Sequence, residues 1–225
     1  SFTFGNFTEV FKNEETLNNL WETVKIALIS TVICLLIAYP VAYILASAPF
    51  NKIAVLSLIF IIPMWINFLL RMFALKSVLS IIGIERGYTA AVIGMVYDFF
   101  PYMLLPIYTV LVNMDKSYLE ASNDLGANNI RTFCQITLPL SFSGIISGIS
   151  MMFMPIFSSY AITEMMGDMG TTVIGSKIAS LFEAHDYGYG SALSFVLLII
   201  VLLVVFITTS MTGKASKTAK AGKAQ

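Results

Sequence analysis

Long apolar segments dominate this chain and restrict what it can fold into. The clearest of them reads FVLLIIVLLVVFI over residues 195–207 and contains no polar residue. A helix needs about 20 mostly apolar residues to cross the hydrocarbon core of a bilayer. Five segments meet that requirement, and they cover residues 21–46, 53–75, 89–112, 143–165 and 189–211. The sequence therefore predicts an all-α fold, a polytopic membrane helix bundle with five visible spans.

The composition agrees with a membrane protein and argues against several other classes. Hydrophobic residues make up 57% of the chain and charged residues 12%, whereas about 25% charged residues is usual in soluble domains. Lysine and arginine total 13, as do aspartate and glutamate, so the net charge of zero gives no reason to expect a nucleic-acid partner. The single histidine, His185, cannot assemble a metal cluster, so neither a metal site nor an enzyme is expected.

Lysine and arginine positions predict the orientation, because these residues are enriched in cytoplasmic loops. A cytoplasmic C-terminal tail places Lys52, Lys116, Arg131, Lys214, Lys217, Lys220 and Lys223 inside, against Lys12, Lys76, Arg86 and Lys177 outside. The chain then divides into an extracellular segment (1–20), a transmembrane domain (21–212) that contains a cytoplasmic loop (115–141), and a basic cytoplasmic tail (213–225). Because the N-terminal segment lies outside, a further span is expected upstream of Ser1.

The polar interruption EASNDLGANNIRTFCQITLPL, residues 120–140, carries helix start and stop signals. Ser117, with Glu120 three residues later, is typical of a capping box. Gly126 favours a left-handed helix stop. A first short helix is therefore expected to begin at Ser117 and to end near Gly126.

A second short helix is expected after this stop. Either Asn128 or Asn129 can cap it. The residue before a proline is disfavoured in helical geometry, so Leu138 before Pro139 predicts its end. Two short helices on the cytoplasmic surface result, and they either dock a partner or rest at the membrane interface.

The spacing of this segment resembles the EAA loop of permease subunits in ABC-type importers. The family pattern is E-A-A, three residues, G, nine residues, then I-x-L-P. The matching positions are Glu120, Ala121, Gly126, Ile136, Leu138 and Pro139. Ser122 departs from the pattern, in which alanine is usual at that position. The resemblance implies the fold of a type I importer permease and a segment that inserts into a groove on a cytoplasmic ATPase.

Other stretches resemble the first permease subunit of spermidine/putrescine importers, and the resemblance covers nearly the whole chain. They read IIPMWINFLLRMFALK from residue 61, GMVYDFFPYMLLPIY from 94, MDKSYLEASNDLGA from 114 and EMMG from 164. The resemblance implies a bacterial inner-membrane location, a second related permease, two ATPase subunits and an extracellular or periplasmic polyamine-binding protein. No cofactor is expected in this chain, which lacks a phosphate-binding P-loop motif, so ATP and magnesium belong to the ATPase.

A cationic cargo would suit the charge placed within the spans. Asp98 lies mid-span, where a carboxylate is costly unless it faces the bundle interior or a wet path. The aromatic rings of Tyr97 and Trp65 can attract an ammonium group. Glu164 lies at the outer end of its span. These residues, with Asn67, are the candidate substrate path.

Each of these residues has a plainer explanation. Asp98 can form an internal ion pair, with Arg71 as the partner. Glu164 can be an ordinary interfacial acid, and Asn67 an interhelical hydrogen-bond donor. The cargo can also be another small solute, such as thiamine, iron or an inorganic anion, and an ATP-independent transporter is a further alternative.

Two glycines in GIISG, Gly144 and Gly148, are spaced four residues apart on one predicted helix. This spacing permits close contact between membrane helices. We expect it to serve packing.

Overall fold

The structure is a computed structural model that describes residues 5–47, 60, 62–168 and 171–221, with side chains as far as Phe206 and at Ser210. Within these ranges the chain forms helices and turns and no β-strand, which confirms the all-α prediction. The helices are α1 (Gly5–Lys12), α2 (Glu14–Ser47), α3 (Phe68–Ile81), α4 (Tyr88–Val112), α5 (Ser117–Asp124), α6 (Asn129–Thr132), α7 (Leu138–Ser158), α8 (Tyr160–Met166), α9 (Ile174–Glu183) and α10 (Tyr187–Ala221).

Four helical stretches of the described chain are long and apolar enough to cross a membrane. They are Glu14–Ser47, Tyr88–Val112, Asn129–Ser158 and Tyr187–Phe206. Helix α4 is central, because 67% of its most apolar 18-residue stretch is buried inside the bundle. The same share for α10 is 28%. Helix α4 packs mainly against α2 and α7. The bundle is therefore built around α4, and α10 lies at its edge.

The predicted second span, residues 53–75, differs from the structure. Its described part contains a 3₁₀ turn, Ile62–Trp65, and then a break before α3. Residues 53–59 and 61 lie outside the described part of the chain. Two residues explain the interruption: Pro63 has no N–H to donate to a helix, and the Asn67 side chain accepts a hydrogen bond from the N–H of Leu69, which starts a new helix.

The predicted fourth span, residues 143–165, has different bounds in the structure. Helix α7 ends at Ser158, and α8 begins at Tyr160 after a non-helical Ser159. At the other end the helix continues from Asn129 into α7 through a π-helical turn, Phe133–Thr137. The expectation that Leu138 leaves helical geometry is therefore wrong.

The π-helical turn explains how the chain stays helical ahead of Pro139. The N–H of Leu138 donates to the carbonyl of Phe133, five residues earlier. Such a turn is wider than an α-helical turn. It lies where the proline ring and its missing N–H would disrupt an ordinary helix. The polar interruption of the sequence, residues 120–140, thus continues into a membrane helix without a loop between them.

The two glycines of GIISG bring α7 into close contact with α4, as predicted. A Cβ atom on Gly144 would lie 3.0 Å from the carbonyl oxygen of Pro106. One on Gly148 would lie 3.0 Å from the carbonyl oxygen of Met103 and 2.9 Å from its Sδ. A side chain at either position would therefore push the two helix backbones apart.

Polar contacts join α2, α9 and α10 at the end of the bundle near α1. The hydroxyls of Thr16 and Tyr189 lie 2.8 Å apart in a buried contact. The N–H of Ile174 donates to Oγ1 of Thr23 at 2.8 Å. Lys177 and Glu15 form an ion pair of 2.7 Å. Part of the predicted outer segment, residues 1–20, is thus helical and held against the bundle.

We expect Gly148→Leu to destabilise the bundle by about 1–3 kcal/mol, because overpacking a close contact forces backbone shifts. Thermal unfolding of the detergent-solubilised chain measures the effect. Met154→Phe is the matched control, since it adds bulk on the same helix where Met154 is 41% exposed. Equal melting temperatures for the two variants would contradict a close contact at Gly148.

Candidate functional sites: a surface segment and a buried ion pair

The first candidate site is the surface segment formed by α5, a turn and α6. Its first helix is capped differently from the prediction. The N–H of Ser117 donates to Oδ1 of Asp115 at 3.0 Å, and the residue before the helix makes no side-chain cap. The predicted capping box of Ser117 and Glu120 is therefore wrong. Asp115 performs the same task, because its carboxylate accepts one of the unpaired N–H groups at the helix start.

The turn between the two helices follows the prediction. Gly126 has a φ of +75°, a left-handed conformation that costs glycine no steric strain. The N–H of Ala127 donates to the carbonyl of Ser122, which closes the end of α5. Of the two asparagines that could cap α6, Asn128 does so, since its Oδ1 accepts the N–H of Arg131 at 2.8 Å.

A buried hydroxyl pair connects the two helices of the segment. Oγ of Ser122 and Oγ1 of Thr132 lie 2.7 Å apart. Ser122 is the position where the EAA pattern usually has alanine, so this hydrogen bond depends on the residue that departs from the pattern. The sequence offers no signal for it, because the two residues are ten positions apart and on different helices.

The remaining residues of the EAA pattern lie mostly on the surface. Glu120, Ala121, Gly126 and Pro139 are exposed, Leu138 is 38% exposed, and Ile136 is half-buried. Two large apolar side chains next to them are strongly exposed, Leu125 at 88% and Ile130 at 74%. An apolar surface on a polar segment is typical of a helix that fills a groove in another protein.

The segment is anchored to the bundle through an aromatic cluster. The ring of Phe133 packs edge-on against the rings of Tyr39 and Tyr43, with centroid distances of 5.7 and 5.6 Å. The hydroxyl of Tyr39 lies 2.7 Å from Oγ of Ser141 in a buried contact. Helix α2 therefore contacts both the π-helical turn and the start of α7.

The second candidate site is the buried ion pair of Asp98 and Arg71. Nη2 of Arg71 lies 2.7 Å from Oδ1 of Asp98, and the two side chains are 11% and 10% exposed. The pair connects α3 to α4. The internal pairing of Asp98 with Arg71, one of the two alternatives for this carboxylate, is what the structure has.

The ion pair lies beside a cavity of about 280 Å³. Arg71 lines this cavity and Asp98 does not. The full lining consists of Ile37, Phe60, Pro63, Met64, Arg71, Val96, Tyr97, Phe100 and Pro101. Mostly apolar and aromatic walls with one convergent polar group are typical of a small-molecule site. Among the predicted path residues, Tyr97 lines the cavity, with 41% of its surface exposed.

The other predicted path residues do not lie in the cavity wall. Trp65 is 88% exposed, and Asn67 caps its own helix α3. Glu164 is exposed, and its backbone carbonyl accepts a hydrogen bond of 2.8 Å from Nη2 of Arg86. Of the predicted path residues, the structure therefore places Tyr97 in the cavity wall and Asp98 in the adjacent ion pair, and the other candidates lie outside the cavity wall. Their contact with cargo stays a prediction.

We expect Ser122→Val to lower the free energy of unfolding by about 1 kcal/mol, because it leaves the Thr132 hydroxyl with no side-chain partner. Adding Thr132→Val should recover most of the loss, since replacing both partners of a buried hydrogen bond is nearly neutral. A double-mutant cycle on thermal unfolding measures the coupling. Additive effects of the two changes would contradict a hydrogen bond between them.

Comparison with known proteins places this geometry in a family. Residues 26–216 match the family described as binding-protein-dependent transport system inner membrane component. The spermidine/putrescine transport system permease protein PotB of Escherichia coli (strain K12) is 32% identical over 218 residues, which cover 89% of this chain and 79% of that protein. The PotB protein of Haemophilus influenzae is 30% identical over 223 residues, which cover 91% and 78%.

Solved structures show the same fold at low sequence identity. A chain of a bacterial ABC transporter involved in the import of the acidic polysaccharide alginate superposes with a TM-score of 0.74 at 14% identity, covering 94% of this chain and 83% of that one. A chain of the inward-facing MetNI methionine ABC transporter gives 0.67 at 16%, covering 90% and 95%. The chain therefore belongs to the family of binding-protein-dependent transport system inner membrane components, and it is a multi-pass transport protein of the inner membrane.

Proposed function

We propose that this chain is one of two permease subunits of an ATP-driven importer for polyamines, spermidine and putrescine, which an external binding protein delivers. The observation that carries the proposal is 32% identity over 89% of the chain to a spermidine/putrescine permease. The surface segment supports the ATP-driven part, because it has the form and exposure of a docking element. A second, related permease completes the path.

The surface segment is the element through which an ATPase acts. Two cytoplasmic ATPase subunits bind and hydrolyse ATP with magnesium, and this chain contributes no cofactor of its own. The exposed Leu125 and Ile130 fill a groove on the ATPase. Glu120 and Ala121 lie on α5, which Leu125 follows, and Ile130 lies on α6. Because α6 continues into α7 without a loop, movement of the ATPase tilts a membrane helix.

The transport cycle follows from differential binding. ATP closes the two ATPase subunits, which draws the two surface segments together and switches the helices from inward-facing to outward-facing. ATP can drive this switch only if it binds one of the two states more tightly than the other. Hydrolysis then returns the transporter to the inward-facing state.

The cargo path runs between the permeases past Trp65, Asn67, Tyr97, Asp98 and Glu164. Polyamines are flexible cations, so carboxylates and aromatic ring faces are suitable contacts. The exposed Glu164 suits the reception of a cation from the binding protein. The cavity beside Tyr97 and Arg71 suits the apolar alkyl chain between two ammonium groups.

An importer of a small anion is the second candidate, and Arg71 is the observation in its favour. A basic side chain in a cavity wall attracts anions. Here Asp98 lies 2.7 Å from that guanidinium and balances its charge. The site as a whole is therefore neutral, and the polyamine proposal keeps the stronger support.

Uptake of radiolabelled spermidine and putrescine tests the cargo. Cells that lack this subunit should take up neither compound above background, and cells that regain it should recover both. Labelled thiamine, iron and phosphate are the comparison cargoes. Equal polyamine uptake with and without the subunit would contradict the proposal.

We expect Glu120→Lys to weaken ATPase binding by about 2 kcal/mol, roughly thirtyfold in Kd, because it reverses a charge at a desolvated interface. Co-purification of the ATPase subunits measures this effect. Glu183→Lys is the matched control, because it makes the same charge change at an exposed residue of α9. Undiminished ATPase recovery with Glu120→Lys would count against docking through this segment.

A further inference from the structure

We propose that Arg71 is a resident cation that occupies Asp98 until an ammonium group of the cargo displaces it. The exchange makes release of α3 from α4 depend on a cationic cargo. This inference rests on the polyamine importer proposed above and assigns a role to a residue outside the predicted path. Arg71 thereby determines which cargo can release α3, and we call the exchangeable Arg71–Asp98 ion pair the latch.

The ion pair is not fully hydrogen-bonded. Nη2 of Arg71 and Oδ1 of Asp98 are 2.7 Å apart. Nε of Arg71 has no hydrogen-bond partner among the described residues. A buried pair that serves stability alone needs its remaining donors and acceptors satisfied. The guanidinium of this pair keeps one donor without a partner among the described residues, so the pair is less fully hydrogen-bonded than a purely structural pair would be.

The two residues of the pair differ in their access to the cavity. Arg71 forms part of the wall of the 280 Å³ cavity, together with Tyr97, Phe100 and Met64, whereas Asp98 does not line it. A cation in the cavity therefore meets aromatic rings and the guanidinium before it reaches the carboxylate. When an ammonium group displaces the guanidinium, one cation replaces another at Asp98, so the buried negative charge never becomes unpaired, and the freed guanidinium stays at the cavity that it already lines. An anionic molecule would instead pair with Arg71 and leave Asp98, which does not line the cavity, without a counter-charge, and a neutral molecule has no charge to exchange.

Helix α3 has a small buried contact with the rest of the bundle. This helix begins directly after the break at Ile66 and Asn67, and it buries fully only Met72 and Leu79. Its opposite face, which includes Leu70 and Phe73, is exposed. The ion pair therefore adds a charged contact between α3 and α4 to a small apolar one. Its release leaves α3, a short helix that follows a break in the chain, able to shift against α4.

The test uses the complete importer with its binding protein in proteoliposomes. Uptake of labelled putrescine gives the maximal rate and the concentration of loaded binding protein for half-maximal uptake, and ATP hydrolysis is measured with and without cargo. The variants are Arg71→Gln, Asp98→Asn and the double variant, with Arg71→Lys as a conservative change. Lys76→Gln, a charge removal on the same helix, is the control.

A latch predicts that Arg71→Gln raises cargo-independent ATP hydrolysis and lowers the half-maximal concentration, each by roughly fivefold or more. Asp98→Asn and the double variant should both lose uptake, although the double variant removes both charges together and so should keep the melting temperature of the unchanged protein. Arg71→Lys should retain a cargo requirement. If Arg71→Gln fails to fold, the double variant and Arg71→Lys still decide the question.

Opposite results would overturn the latch. Normal uptake by the double variant would make the pair purely structural, and so would an Arg71→Gln protein with unchanged half-maximal concentration and unchanged basal ATP hydrolysis. Absence of polyamine uptake by the unchanged importer would instead contradict the proposed function. The two failures are therefore distinguishable.

Discussion

The close contact between α4 and α7 is the interaction on which the other parts of this bundle depend. At Gly144 and Gly148 only hydrogen atoms separate the α7 backbone from the carbonyl oxygens of Pro106 and Met103. Lipid provides no hydrophobic drive between membrane helices, so association depends on such close van der Waals packing. The contact fixes α7, which continues into the surface segment, against α4, which carries Asp98. The two candidate sites are thus connected through one helix pair.

The surface segment shows how a polar stretch can act on a membrane. Its helices are held by local hydrogen bonds at Asp115 and Asn128 and by the buried hydroxyl contact of Ser122 with Thr132. Its second helix, α6, continues through a π-helical turn directly into α7. A flexible loop at this point would absorb movement, whereas a continuous helix with Phe133 packed against α2 is suited to transmit it.

The buried ion pair changes how the path is interpreted. A carboxylate in the middle of a span suggests a cargo ligand, and it is here already neutralised by an arginine of a neighbouring helix. The two explanations for Asp98 are compatible if the arginine can be exchanged. Burial of both charges makes each costly to expose alone. In the exchange proposed above, this cost favours a cationic competitor, because such a competitor keeps Asp98 paired.

Local signals in the sequence determined much of this protein. Apolar runs indicated four helices that the structure contains, Gly126 predicted the turn, Asn128 or Asn129 was expected to cap α6, and the glycine spacing of GIISG predicted a close helix contact. The turn and the cap depend on bonds within a few residues, and the apolar runs and the glycine spacing are patterns along a single helix. The described part of the predicted second span is broken between a 3₁₀ turn and α3, because Pro63 and Asn67 interrupt the helix there. The expected stop at Leu138 was wrong, because a wider turn accommodates Pro139. Only the tertiary structure decided that Asp98 pairs with Arg71, that Arg71 lines a cavity, and that Ser122 bonds Thr132. Those contacts join residues on different helices, and their distances follow from packing, which the order of residues does not display.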